Sequence, residues 1–188
     1  MERSPEVERS FWNLSNKLTL FRIGAIPGIA VLLQWPGKVC SFFAALLFLL
    51  AAISDSLDGY LARKRGTVTV IGKLIDPLAD KLLVLISLIF LIPLGRVAPW
   101  IVALIIAREM AVTTLRAVAA SQGVIIAASP LGKAKSFLQL ASTNLLILHY
   151  PYFSLNIHLI GYYLIYGALV VTLISGAHYF LRYLRRDH

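Results

Sequence analysis

The chain has 188 residues, of which 59% are hydrophobic and 14% are charged, and its mean hydropathy is +0.78. A soluble domain carries about 25% charged residues, so this composition excludes an ordinary soluble domain and predicts a membrane protein of one domain. The formal net charge is +9, but the basic residues flank apolar stretches, which indicates topology control and contact with anionic lipid or phosphate and argues against nucleic acid as a partner.

Six apolar stretches are long enough to cross a membrane. They predict an all-α fold, a polytopic membrane protein with six transmembrane helices. In chain order the stretches cover residues 18–34, 39–62, 76–94, 98–119, 134–150 and 157–181. Turn-forming residues separate them, among them Pro36-Gly37, Pro93 to Gly95 and Pro151. We therefore predict one membrane domain, residues 18–188.

The N-terminal segment, residues 1–17, is polar and lacks the apolar region of a signal peptide. Apolar residues recur in it at helical spacing from Val7 to Leu18. This spacing fits either a short interfacial helix lying on the membrane surface or a frayed tail. In both cases the segment is expected on the cytoplasmic side.

Lysine and arginine predict the orientation in the membrane. They concentrate at both termini and in the 63–74 and 120–135 connections, whereas Lys38 and Arg96 lie on the opposite side. The positive-inside rule therefore places both termini and these two connections in the cytoplasm.

Acidic residues are rare, yet four of the nine lie close together where the second apolar stretch ends and the third begins. They are Asp55, Asp58, Asp76 and Asp80. Residues three or four apart on a helix share a face, so each pair would present two carboxylates. A carboxylate at membrane depth is costly unless it is paired, solvated or bound to a cation, and hard oxygen ligands suit Mg²⁺ or Mn²⁺. The alternatives are helix caps around a water-filled vestibule, or the permeation site of a cation transporter.

Small and basic residues complete a longer pattern around these aspartates. The pattern is D-x2-D-G-x2-A-R-x8-G-x3-D-x3-D, running from Asp55 to Asp80 with Gly59, Ala62, Arg63 and Gly72 between them. It resembles the signature of the CDP-alcohol phosphotransferases, which displace CMP from a CDP-linked lipid by an alcohol.

The resemblance implies a role for each position of the pattern. Two Mg²⁺ or Mn²⁺ ions would be held by the four aspartates, and Asp80 would take the proton of the acceptor hydroxyl. From sequence alone this last role is not separable from Asp76. CDP-diacylglycerol would lie with its cytidine against Gly59 and Ala62 and its diphosphate near Arg63. The other residues expected to contact this lipid are Gly72, Asn16 and Thr19.

A second group of polar residues interrupts the later apolar stretches. Arg108 and Glu109 lie within the fourth, with Arg116 eight residues beyond Arg108 and expected to face the same way. Lys133 and Lys135 begin the fifth. A buried guanidinium requires an anion. Glu109 is one candidate for this anion. Its single charge cannot balance two arginines and two lysines, so an external phosphate dianion is a second candidate. The alternative for the lysines is that they snorkel to water.

Within the family, residues 13–140 are most similar to bacterial phosphatidylglycerophosphate synthases. The resemblance rests on the Asn16 to Ile23 segment, on Arg108 with Arg116, and on the Gly132 to Gln139 segment. It implies transfer of a phosphatidyl group from CDP-diacylglycerol to sn-glycerol 3-phosphate. The acceptor phosphate would be held by Arg108, Arg116, Lys133, Lys135 and Arg22.

The same resemblance implies a homodimer in the bacterial inner membrane, with the active site facing the cytoplasm. Other acceptors stay open at this point: inositol phosphate, serine, or phosphatidylglycerol. Serine has no phosphate and would not need the second basic group.

Overall fold

The computed structural model of the protein describes residues 14–35, 37–65, 70–122 and 130–184, which form six α-helices. They are α1 (Leu14–Gln34), α2 (Lys38–Arg65), α3 (Val70–Leu91), α4 (Pro99–Ser121), α5 (Pro130–Leu148) and α6 (Ile157–Leu184). Each helix coincides with one predicted apolar stretch, which confirms the all-α prediction. The largest difference is at α3, which begins at Val70 instead of residue 76. Of the N-terminal segment, residues 1–13 lie outside the described part and residues 14–17 belong to α1.

Local chemistry accounts for several helix ends. Proline begins both α4 and α5, where its missing N–H costs nothing because the first turn of a helix has no partner for it. Asn156 precedes α6, and its side-chain oxygen accepts a hydrogen bond of 3.1 Å from the backbone N–H of Leu159. Gly95 lies between α3 and α4 with a φ of +66°, a conformation that favours glycine. α1 continues through Pro27.

The chain divides into two compact units, Met1–Phe90 and Leu91–His188. In the first unit α1 packs against α2, and Phe48 of α2 is fully buried. In the second unit α6 packs against both α5 and α4, with Ile105 of α4 and Ile165 of α6 in its core.

Polar side chains are buried in the second unit, and large apolar side chains are exposed on every helix. The interior of that unit contains hydroxyl side chains with no exposed surface, namely Ser142, Thr143, Thr172 and Ser175. All six helices expose large apolar side chains, for example Phe21, Phe43, Ile89, Met110, Phe137 and Ile174. Within the described residues, α6 contains a segment, Ile157–Leu181, that is long and apolar enough to cross a membrane. These features indicate a membrane protein.

Arg96, between α3 and α4, contacts the C-terminal end of α5 and the turn that follows it. Its Nη1 donates a 2.7 Å hydrogen bond to the carbonyl of Ile147, among the last carbonyls of α5, and its guanidinium lies 5.9 Å from the ring centre of Tyr150. Burial lowers the pKa of Arg96. His149, in the turn after α5, has its Nδ1 3.1 Å from the Nδ1 of His158. Burial, followed by the charge of Arg96, lowers the pKa of His149 to about 4, so its ring is neutral at pH 7.

α6 approaches α5 closely at Gly161. A Cβ built at this glycine would lie 3.0 Å from the Cβ of Leu145 and 3.1 Å from the backbone nitrogen of Leu146. Backbone atoms cannot move aside as the end of a flexible side chain can, so this contact requires glycine.

We predict that Gly161→Ala destabilises the protein by about 1–3 kcal/mol, because the added methyl forces α5 and α6 apart. The matched control is Gly167→Ala on the same helix, where a Cβ would meet nothing within 4 Å. That control should be neutral or more stable by up to about 1 kcal/mol. Thermal unfolding of the detergent-solubilised variants, followed by circular dichroism, measures both. Equal stabilities would contradict the close packing at Gly161.

Candidate active site

The aspartate motif lies on two consecutive helices. The part from Asp55 to Arg63 belongs to α2, and Gly72, Asp76 and Asp80 belong to α3. All these positions have helical backbone, which confirms the premise that each aspartate pair is three or four residues apart on a helix. The side chains themselves lie outside the described part, as do those of Asn16 and Thr19 on α1. Their roles therefore stay predictions.

The residues of the motif fit a hard divalent cation. They comprise four carboxylates on helical backbone and no sulfur or imidazole ligand, and Mg²⁺ and Mn²⁺ favour oxygen ligands of this kind. Among the side chains that the structure describes, which exclude these aspartates, no group of three or more His, Cys, Asp or Glu could hold a metal ion. The motif is thus the candidate metal centre.

The second polar group forms a buried cluster, built by α4 and α5. Arg108 and Glu109 come from α4 and Lys135 from α5, and their side chains are 9%, 7% and 7% exposed, respectively. Arg108 donates from Nη1 to Oε1 of Glu109 at 2.9 Å, and Lys135 donates from Nζ to the same oxygen. Glu109 is therefore an internal anion shared by both cations. It was the first of the two counter-ions that the sequence left open.

Hydroxyl and amide groups surround this cluster. Arg108 donates from Nε to the backbone carbonyl of Thr172 at 2.9 Å and from Nη2 to Oγ of Ser175 at 2.6 Å. Gln139 of α5 donates to Oγ1 of Thr172 at 3.1 Å. Thr143, one turn further along α5, donates to the carbonyl of Gln139 at 2.7 Å. These bonds link all three helices of the second unit through side chains that are almost completely buried.

The contribution of α6 was missed, because the sequence predicted residues 157–181 only as an apolar span and none of them as a site residue. A signal was present: Thr172, Ser175 and Gly176 lie close together in a mainly apolar helix. Hydroxyl residues three apart share a helix face, and a small residue beside them permits close approach of another chain segment.

Two of the predicted acceptor-site residues are not part of the buried cluster. Arg116 and Lys133 are exposed, in contrast to the nearly buried Arg108 side chain. Eight residues leave an offset of about 80° around the helix axis, and the expectation that Arg116 faces the same way as Arg108 stays a prediction. Lys133 fits the alternative of snorkelling to water, whereas Lys135, 6% exposed, does not. Arg22, 1% exposed on α1, belongs to the first unit.

We predict that Glu109→Gln destabilises the protein by about 3–5 kcal/mol, because two buried cations lose the carboxylate that they share. Lys133→Gln, which removes an exposed charge two residues from Lys135, should change stability by no more than about 0.5 kcal/mol. Thermal unfolding in detergent measures the difference. If Glu109→Gln unfolds at the same temperature as Lys133→Gln, the carboxylate does not hold the cluster together.

Comparison with known proteins identifies the family. The family model for CDP-alcohol phosphatidyltransferases matches residues 12–174. A CDP-diacylglycerol–glycerol-3-phosphate 3-phosphatidyltransferase of Bacillus subtilis is 40% identical over 90% of this chain and 94% of its own length. A protein of the same name from Rickettsia bellii is 40% identical over 89% of this chain and 93% of its own.

A probable phosphatidylglycerophosphate synthase of Mycobacterium tuberculosis is 37% identical over 92% of this chain and 82% of its own. These matches confirm the resemblance found in the aspartate motif and leave the cation-transporter alternative without support. The chain belongs to the CDP-alcohol phosphatidyltransferase family.

Proposed function

We propose that the protein transfers a phosphatidyl group from CDP-diacylglycerol to sn-glycerol 3-phosphate, giving phosphatidylglycerol phosphate and CMP. One observation carries this proposal: a relative that bears the name of this reaction is 40% identical over 90% of the chain. The complete aspartate motif on α2 and α3 supports the chemistry. The buried basic cluster on α4 and α5 supports an acceptor that carries phosphate.

In the proposed reaction, the acceptor hydroxyl oxygen attacks the phosphorus that carries diacylglycerol. A new phosphorus–oxygen bond forms, the bond to CMP breaks, and CMP leaves with its phosphate. Asp80 accepts the hydroxyl proton. Asp55, Asp58 and Asp76, together with Asp80, would hold two Mg²⁺ or Mn²⁺ ions, which when bound neutralise charge on the diphosphate.

The donor lipid is proposed to bind along the motif itself. Gly59 and Ala62 leave room for the cytidine beside α2, and Arg63 pairs with the diphosphate. Gly72 on α3 and the polar residues Asn16 and Thr19 on α1 complete the proposed donor site.

The acceptor phosphate is proposed to bind at the basic cluster. Arg108 and Lys135 are buried there, and a dianion next to them would form charge-assisted hydrogen bonds in a medium of low dielectric constant. Arg116 and Lys133 are exposed and would attract the same anion from the aqueous side. Arg22 is the proposed contribution of α1.

All six helices are proposed to cross the bacterial inner membrane, with both termini and the active site on the cytoplasmic side. The apolar Ile157–Leu181 segment and the large apolar side chains exposed on every helix support the membrane location. The distribution of lysine and arginine supports the orientation. A homodimer, implied by the family resemblance, is part of the same proposal.

The proposed function is tested by an acceptor panel with purified protein and radiolabelled CDP-diacylglycerol. We expect product only with glycerol 3-phosphate, in a one-to-one ratio with released CMP. Serine, inositol phosphate and phosphatidylglycerol serve as competing acceptors, and chromatography identifies the lipid formed. Preferred use of any of these three would overturn the acceptor assignment, and preference for serine would remove the proposed need for the basic cluster.

Asp80→Asn should lower turnover by about 10²–10⁴-fold, because the amide cannot accept the proton of the attacking hydroxyl. The chain provides a matched control, since Asp187 is the remaining aspartate and lies outside the motif. Asp187→Asn should keep the wild-type rate. Chelation by EDTA should abolish activity and added Mg²⁺ or Mn²⁺ should restore it. A variant at Asp80 that retains a tenth of the rate would exclude the proposed base.

A further inference from the structure

The side chain of Arg108 lies across one turn of α6. Its Nε donates to the carbonyl of Thr172 at 2.9 Å and its Nη2 donates to the hydroxyl of Ser175 at 2.6 Å. Ser175 in turn donates its hydroxyl proton to the same Thr172 carbonyl at 3.1 Å. The three hydrogen bonds close a ring, so the one hydroxyl proton of Ser175 is committed and its oxygen is oriented to accept from Arg108.

Gly176 provides the surface on which the arginine lies. A Cβ at this position would be 3.2 Å from both Cγ and Nε of Arg108, which is tighter than ordinary van der Waals contact. Any side chain at residue 176 would therefore displace the guanidinium or its stem. On the same helix Gly167 has nothing within 4 Å of such a Cβ, and the atoms near Gly161 belong to α5, so the close contact with Arg108 is made at Gly176. We call Thr172, Ser175 and Gly176 the α6 seat.

The α6 seat leaves part of the guanidinium available to a ligand. An arginine has five N–H groups, and within the described part of the chain Arg108 uses three, on Thr172, Ser175 and Glu109. One N–H remains on each terminal nitrogen. Because the guanidinium is planar and rigid, anchoring three of its N–H groups determines the direction of the other two.

The seat also orients the lysine of the cluster. Glu109 accepts from Arg108 and Lys135 through the same oxygen, so the position of the arginine constrains that of the lysine. Gln139, four residues after Lys135 on α5, donates to the side-chain oxygen of Thr172. Thr172 thus contacts Arg108 through its carbonyl and α5 through its hydroxyl.

We infer that Ser175 and Gly176 are positioning residues for the acceptor: they hold Arg108 in the orientation that binds the phosphate of glycerol 3-phosphate. The inference rests on the proposed function. It assigns to the last helix a part in acceptor recognition, although that helix lies far along the chain from the aspartate motif. Neither residue touches the substrate; both act through Arg108.

The test compares Gly176→Ala with Gly167→Ala, two identical changes on one helix. Gly176→Ala should raise the KM for glycerol 3-phosphate by about tenfold, because a small misplacement of a binding group weakens binding strongly. Its KM for CDP-diacylglycerol should stay within about twofold of wild type. Gly167→Ala should leave both constants unchanged. The thermal unfolding temperature of each variant is measured in the same detergent.

A second pair of variants enlarges no side chain, so it can test the inference even if Gly176→Ala does not fold. Ser175→Ala removes the oxygen that accepts from Arg108 and should raise the KM for glycerol 3-phosphate by about threefold or more. Its control is Ser142→Ala, another fully buried serine, whose hydroxyl donates to the carbonyl of Gln139 on its own helix at 3.0 Å. This control should leave the KM for the acceptor unchanged.

The outcomes separate the inference from the proposed function. If wild-type protein does not use glycerol 3-phosphate in the acceptor panel, the proposed function fails. If it does, and Gly176→Ala and Ser175→Ala match their controls, the α6 seat has no part in recognition. Equal rises in both KM values with a lowered unfolding temperature would make the seat a purely structural contact and overturn the inference. A rise confined to the acceptor supports it.

Discussion

The second unit depends on one carboxylate, that of Glu109. It accepts hydrogen bonds from a guanidinium on its own helix and from an ammonium on α5, with all three side chains less than a tenth exposed. In an interior of low dielectric constant an isolated charge is costly, whereas a paired and hydrogen-bonded one can be retained. Glu109 makes it possible to bury two cations, and these are the cations proposed to bind the acceptor phosphate.

The polar interior of the second unit explains how helices with apolar exteriors associate. In a bilayer, helix association gains little from the hydrophobic effect, because lipid is as apolar as leucine, so small and hydrogen-bonding residues take over. Gly161 permits close contact of α5 and α6, and Gly176 permits close contact of α6 with Arg108. Thr172 bonds to both α4 and α5. Two of these residues, Thr172 and Gly176, also contact Arg108 of the basic cluster.

The proposed chemistry separates along the chain into a donor half and an acceptor half. The aspartate motif, which is proposed to bind the metal ions and the CDP lipid, lies on α2 and α3. The basic cluster lies on α4 to α6. A family whose members transfer a phosphatidyl group to different alcohols can retain the donor half and vary the acceptor half. Acceptor specificity is then expected to depend on residues such as Arg108, Lys135 and their neighbours on α6.

The sequence alone determined the helices and the family. Apolar stretches long enough to span a membrane, broken by proline and glycine, predicted all six helices, because hydrophobic length and turn residues are local properties of the chain. The aspartate motif identified the family because its eight specified positions lie at constant spacing within 26 residues, from Asp55 to Asp80. Charge and spacing also singled out Arg108, Glu109 and Lys135.

Only the tertiary structure decided which of the charged residues meet. The sequence placed four cations in one group. In the structure Arg116 and Lys133 are exposed, whereas Arg108 and Lys135 share Glu109. It also gave no role to α6, whose Thr172 and Ser175 bind Arg108. The physical reason is sequence separation: the contacts from α6 to Arg108 join residues more than 60 positions apart, and Lys135 and Glu109 are 26 apart. Which helix faces meet depends on helix packing, and the periodicity of a single helix carries no information about the face of its neighbour.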